Sequence, residues 1–194
     1  MLSWENPNDN LKTIAQAVNR QGKADKILQA TKQKIKQAKD DLSSVVASHP
    51  QMLLLYAQGS QEFLMDNTRR GCSSLIKELG FELVSQPQSE ETLSKARTPL
   101  SLEVIPQLDN ADSIILFGYN FSNIKEVKDA QHLAEHQLAE LQQEWSKNAI
   151  AQSMTASKQG RIYFISAYLC LGLTGSMGTE LYLEELQEQL LSSN

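Results

Sequence analysis

Three stretches of the chain carry residue types whose spacing could support chemistry. His132-Leu-Ala-Glu135-His136 has H-x-x-E-H spacing, which on a helix places both imidazoles on one face beside a carboxylate, as metal-assisted hydrolysis requires. The segment around it is polar and no downstream carboxylate stands out as a third ligand, so a solvated helix face accounts for it too. Gly172-Leu-Thr-Gly-Ser-Met-Gly178 precedes a helical pattern, where backbone amides can cradle phosphate. It matches neither G-x-G-x-x-G nor G-x-x-x-x-G-K-[ST], and tight turns with a cap at Ser176 or Thr179 explain it better. The 2 cysteines, Cys72 and Cys170, are either one bridge or two buried thiols. Neither has a histidine near it in sequence and no G-x-S-x-G occurs, so no catalytic constellation, resident metal or cofactor is expected.

A second set of residues suits binding without reaction. Gln58, Gly59, Ser60, Gln61, Glu62 and Phe63 form one cluster, Tyr119, Asn120, Phe121 and Ser122 another, and Tyr168, Leu169 and Cys170 lead into the glycine-spaced stretch as a third. Each joins an aromatic ring to polar groups, the makeup of a rim for a flat or bulky ligand, in which rings supply contact area and amides and hydroxyls fix orientation. Loop aromatics that simply plug the ends of a sheet are the alternative. Arg69 and Arg70 open the helix that follows the first cluster, where a guanidinium could hold an anionic oxygen ligand; a solvated surface pair is the more common explanation for two such residues.

The elements that must position these clusters follow from periodicity. After Pro7 and Asn8, Leu11, Ile14, Ala15 and Val18 fall at helical spacing. Beyond Gly22, a stripe from Ala24 through Ile27, Leu28, Thr31, Ile35, Ala38 and Leu42 to Val46 predicts a long amphipathic helix of roughly 25 residues, about 37 Å. His49-Pro50 ends it. Met52-Leu-Leu-Leu-Tyr-Ala57 then reads as a strand buried on both faces. A helix over 67–79 closed by Gly80, a strand over 81–84, short helices over 90–96 and 101–108 flanking Pro99, and a strand over 113–117 follow. The chain continues with a charged helix over 124–147, a strand over 161–166 and a terminal helix over 179–191. Strands separated by such helices need crossover connections, which predicts a three-layer α/β/α lobe with a mainly parallel sheet over 51–194, preceded by a helical segment over 1–50. In such sheets the ligand crevice lies beyond the carboxyl ends of the strands, where the three clusters would converge.

Composition agrees with that class. The 194 residues are 41% hydrophobic and 21% charged, with Lys+Arg 18 against Asp+Glu 23 for a net charge of -5, enough to bury a core and too little cysteine to staple one. Acidic balance with interspersed cations argues against a nucleic-acid partner, and no apolar run reaches the length of a membrane span or signal-peptide core.

Asn19-Arg-Gln-Gly-Lys-Ala24, the long helix, Gly80, Ser101-Leu-Glu103-Val-Ile-Pro106, Leu108-Asp-Asn-Ala-Asp112, Trp145 and Ala156-Ser-Lys-Gln-Gly160-Arg-Ile-Tyr-Phe164 follow one another in an order that resembles the second half of the iron-siderophore ABC transporter substrate-binding proteins. The resemblance implies a class III substrate-binding fold: two α/β lobes joined by a rigid helix, with a ferric siderophore, haem or cobalamin held between them and no chemistry done on it. This chain would be the C-terminal lobe with its interlobe helix, lacking the first lobe as a fragment or a shortened gene product. It implies a periplasmic location, an ABC transporter permease as partner and an iron chelate as ligand. Gly59, Ser60, Phe63, Arg69, Tyr119, Phe121 and Tyr168 would face the ligand, and Glu103 would dock on an arginine of the permease. Tyr168 stands where the family often has tryptophan. The rival readings are a small metal-dependent hydrolase using His132, Glu135 and His136, and a structural protein that forms a homodimer through the helix stripe at Ile35 and Leu42.

Overall fold

In the computed structural model, residues 6–57, 62–66, 71–85, 97–118, 120 and 130–192 are described. Six strands form one sheet: β1 Gln51–Ala57, β2 Glu62–Asp66, β3 Glu82–Leu83, β4 Arg97–Ser101, β5 Ser113–Gly118 and β6 Ile162–Ser166, in the order β4-β2-β1-β5-β6 with β3 also on β1. β1 runs parallel to β5 from Met52↔Ser113 to Tyr56↔Phe117, and β5 runs parallel to β6 from Ile114↔Ile162 to Gly118↔Ser166. The opposite edge of β1 is shared. β3 pairs with it in parallel at Gln51 and Met52, whereas β2 pairs antiparallel from Leu55 to Ala57. β4 then adds antiparallel to β2. The parallel centre is the one expected; the segments of β2 and β4, which the sequence presents as a loop and a helix flank, are strands, which makes the sheet mixed.

Alternation along β1 splits the core into two layers, because successive side chains point to opposite faces. Met52, Leu54 and Tyr56 face a cluster with Ala38, Leu42 and Val45, with Leu75, Ile76 and Leu79 of α4 (Cys72–Leu79), and with Tyr182, Leu183, Leu186 and Leu190 of α8 (Ser176–Ser192). Leu53 and Leu55 face the other cluster, with Leu102, Ile105 and Leu108 of a 3-10 turn (Leu102–Leu108), Leu141 and Trp145 of α5 (Ala130–Lys147), Ala151 of α6 (Ala149–Ser153) and Ala156 of α7 (Thr155–Lys158). A strand apolar on both faces therefore reads as one unbroken apolar run.

The amino-terminal segment is three helices, α1 Pro7–Ala17, α2 Gln21–Asp41 and α3 Ser43–Ser48. α2 and α3 meet at Leu42, where Leu42 N–H still donates to Ala38 O at 2.9 Å and Val46 N–H to Leu42 O at 3.0 Å, so the axis runs on for about 42 Å at ~1.5 Å per residue. The proline rule holds, with α3 ending at Ser48 before His49-Pro50. Ile35 and Leu42 do not form an orphaned stripe. Leu42 is fully buried and Ile35 packs against the first core cluster, so the lobe itself covers the face that the dimer reading needed. A polar seam joins α2 to α8 outside that contact: Lys34 Nζ to Glu180 Oε2 at 2.8 Å and Gln187 Nε2 to Asp41 Oδ2 at 2.8 Å. Gly80 takes the left-handed conformation expected of a C-cap, with φ 111°. The expected helix over 90–96 lies outside the described residues, and among those described no helix is long and apolar enough to cross a membrane.

Candidate functional site

β1, β5 and β6 run parallel, so their carboxyl ends lie along one edge of the sheet. Of the expected ligand-facing residues, Gly59, Ser60, Arg69, Tyr119 and Phe121 lie outside the described residues, as does Arg70. Phe63 requires a correction. It sits in β2, 3% exposed in the second core cluster, with its ring edge-on to Trp145 at 6.0 Å between centroids. Alternation in a strand that pairs with β1 turns Phe63 inward toward α5, away from the rim. The same neighbourhood holds Glu144, whose carboxyl is pushed above its ordinary value first by burial and then by the charge of Glu140.

Tyr168 is at the edge, half-buried, as the first residue of a π turn (Tyr168–Gly172) that leaves β6. The turn is built by Leu171 N–H to Ala167 O at 2.9 Å and Leu173 N–H to Tyr168 O at 2.9 Å, and Ala167 N–H ties it to Gly118 O at 3.0 Å. Such one-turn π segments recur at functional sites. Cys170 in this turn is bonded to Cys72, the first residue of α4, so the two cysteines are one bridge. The glycine stretch does turn duty, as expected, but the cap does not form as expected. Thr179 Oγ1 donates back to Gly175 O at 3.0 Å, and Ser176 Oγ is buried without a partner.

A cavity of about 1000 Å³ opens between α1, α2, α4 and the start of α8, and Cys170 of this turn lines it. Leu28, Ile35, Leu75 and Tyr182 give it an apolar floor, Cys170 and Leu173 form its rim, and Asp25, Lys32 and Glu78 place charges in its wall. Lys34, one position from that wall, is held above its ordinary pKa chiefly by the hydrogen bond to Glu180. Asp9 and Lys12 of α1 add further charges, so polar and charged side chains line the cavity as extensively as apolar ones. Glu103 is exposed in the first turn of the 3-10 segment. His132 and Glu135 are exposed and His136 half-buried on α5, and among the described residues no group of three or more His, Cys, Asp or Glu could hold a metal ion. Sequence reasoning missed Gln137 and Ser166, both buried, whose hydrogen bond joins α5 to the end of β6. Nothing in their spacing announces the pair.

The family model described as "Periplasmic binding protein" matches residues 3–169. No curated protein matches the chain. Among solved structures, the triscatecholate siderophore binding protein FeuA from Bacillus subtilis, complexed with ferri-bacillibactin, is similar at TM-score 0.69 and 20% identity, covering 97% of this chain and 60% of that one. A FhuD fold-family component of a Fep/Fec-like ferrichrome ABC transporter from Bacillus subtilis gives 0.68 and 20%, covering 94% and 62%. FhuD from Vibrio cholerae, bound to Fe3+-Desferal, gives 0.65 and 16%, covering 96% and 61%. These likenesses show a shared fold, and the chain spans about three-fifths of the length of each of these solved structures.

Proposed function

The chain belongs to the periplasmic binding protein family, and on that premise we propose that its α/β lobe forms one wall of a site that binds a ferric siderophore or related iron chelate and passes it, unaltered, to an ABC importer. The observation that carries this reading is the fold match across nearly the whole chain to proteins whose structures hold ferric siderophores. A carrier needs contact area and orientation rather than a nucleophile; the Tyr168 ring at the strand edge and the cavity between α1, α2, α4 and α8, with its apolar and charged side chains, offer both. Gly59, Ser60, Arg69, Tyr119 and Phe121 complete the wall in this proposal, with no resident cofactor and no catalysis.

The importer's permease is the proposed partner, with exposed Glu103 as the docking carboxylate. A periplasmic location fits the Cys72–Cys170 bridge, since such bonds persist in oxidising compartments. Opposite this wall the proposal places a second lobe, as the family resemblance implies. Intrinsic-fluorescence titration tests the reading: ferric desferrioxamine, a tris-hydroxamate, and a ferric tris-catecholate are added to the chain and to a two-lobed form of the protein. Saturable one-to-one quenching is expected from the two-lobed form, and weaker binding from the chain alone. Absence of binding by either chelate to folded two-lobed protein would count against it.

A further inference from the structure

Tyr168 is gripped from two directions. Its ring lies directly on the backbone of Gly172, four residues along the same π turn: a β-carbon placed on Gly172 would come within 2.5 Å of Tyr168 Cε2 and nearer still to Cδ2. Residues four apart share a face of a helical turn, so any side chain at position 172 would evict the ring from where it rests. The backbone of Tyr168 is held from below. Its N–H donates to Ser166 Oγ at 3.3 Å, and the Ser166 hydroxyl in turn donates to Gln137 Oε1. Gln137 and Ser166 are 2% and 5% exposed. The Gln137 amide Nε2 is buried with no hydrogen-bond partner, a cost that an apolar side chain of similar size would not carry.

Helix α5 reaches this position because Gly118, at the end of β5, has no β-carbon: one placed there would collide with the backbone carbonyl of Gln137 and come within 2.8 Å of Leu138 Cδ2. We propose that Gly172 and the Ser166–Gln137 pair are positioning residues that set the ring pose of Tyr168 at the strand edge, and through it the affinity of the site for a ferric chelate. The inference rests on the carrier reading for its ligand and on the geometry alone for the ring pose.

The test therefore has two readouts. Tyr168 is replaced by fluorotyrosine and its 19F resonance recorded in the wild type, Gly172→Ala, Ser166→Ala and Gln137→Leu, with circular dichroism and melting temperature to verify folding. A displaced resonance is expected in each variant that folds, while a control such as Ser43→Ala on α3 leaves it in place. In the two-lobed protein, ferric desferrioxamine affinity is then measured in a double-mutant cycle. Gly172→Ala and Tyr168→Ala are each expected to weaken binding about tenfold, and Gly172→Ala to add little once Tyr168 is Ala. Unmoved resonances, or a Gly172→Ala loss that persists in full without the tyrosine ring, would overturn the proposal. If the wild type binds no chelate, the carrier reading fails, and the resonances alone decide the ring pose.

Discussion

Cys72 and Cys170 are covalently joined with their Cα atoms 5.1 Å apart across 98 positions of sequence, which fixes the first residue of α4 to the turn that carries Tyr168. A crosslink spanning that much chain acts mainly by restricting the unfolded state, and for a loop near 100 residues the chain-entropy model gives about 4.7 kcal/mol. The Cys72→Ser, Cys170→Ser double variant is expected to lose about 2–5 kcal/mol of unfolding free energy in urea, and the native protein to show no reactive thiol without reductant. An unchanged midpoint would contradict a structural bridge.

Phe63 is placed in the core against Trp145. Phe63→Ala is expected to cost about 3–5 kcal/mol of stability by opening a cavity, and to leave chelate affinity unchanged in protein that still folds. A selective loss of affinity with no loss of stability would restore it to the rim.

Glu144 holds its proton more tightly in the fold than in the unfolded chain, because burial and then Glu140 disfavour its charge. The folded state therefore binds more protons as pH rises past the ordinary value of 4.5, and stability falls through that window and stays lower above it. Glu144→Gln should raise the melting temperature at neutral pH and flatten this part of the profile. A melting temperature lowered by the substitution at neutral pH would refute the burial effect.

Lys34 works in the other direction. Its pKa is raised, first by the hydrogen bond to Glu180, so its contribution is complete below pH 10.5 and is lost as pH climbs through the higher folded value. The pair is exposed, so Lys34→Met is expected to lower the melting temperature slightly at low salt and not at all in concentrated salt. A large loss insensitive to salt would mean that the α2–α8 seam depends on something else.

Glu103 stands exposed, away from the core. Under the carrier reading Glu103→Arg leaves chelate affinity intact and abolishes stimulation of the transporter's ATPase in reconstituted vesicles. Equal stimulation by the variant would remove Glu103 from the docking surface.

How far the fold is legible depends on burial. β1, β5 and β6 stand out because both of their faces are covered, which turns each into an apolar run. β4 was hidden by Pro99, which reads as a break between helices. A proline is tolerated there because, among the described residues, β4 is an edge strand with β2 on one side only. In β2 the alternation of Phe63 and Met65 was present, but five residues after Gly59-Ser60 also read as a loop. The site was less legible. Tyr168 is visible as an aromatic after a strand, whereas Gln137 meets Ser166 across 29 positions only because α5 folds back over β6. Such a pair belongs to tertiary packing and leaves no local pattern.

Equilibrium dialysis of radioiron-labelled ferric desferrioxamine and a ferric tris-catecholate against the two-lobed protein tests the carrier reading most directly. The account predicts saturable binding of one chelate per protein, weakened about tenfold by Tyr168→Ala, with the chelate recovered chemically unchanged. Retention of neither chelate by folded protein, or recovery of a cleaved or reduced product, would contradict it.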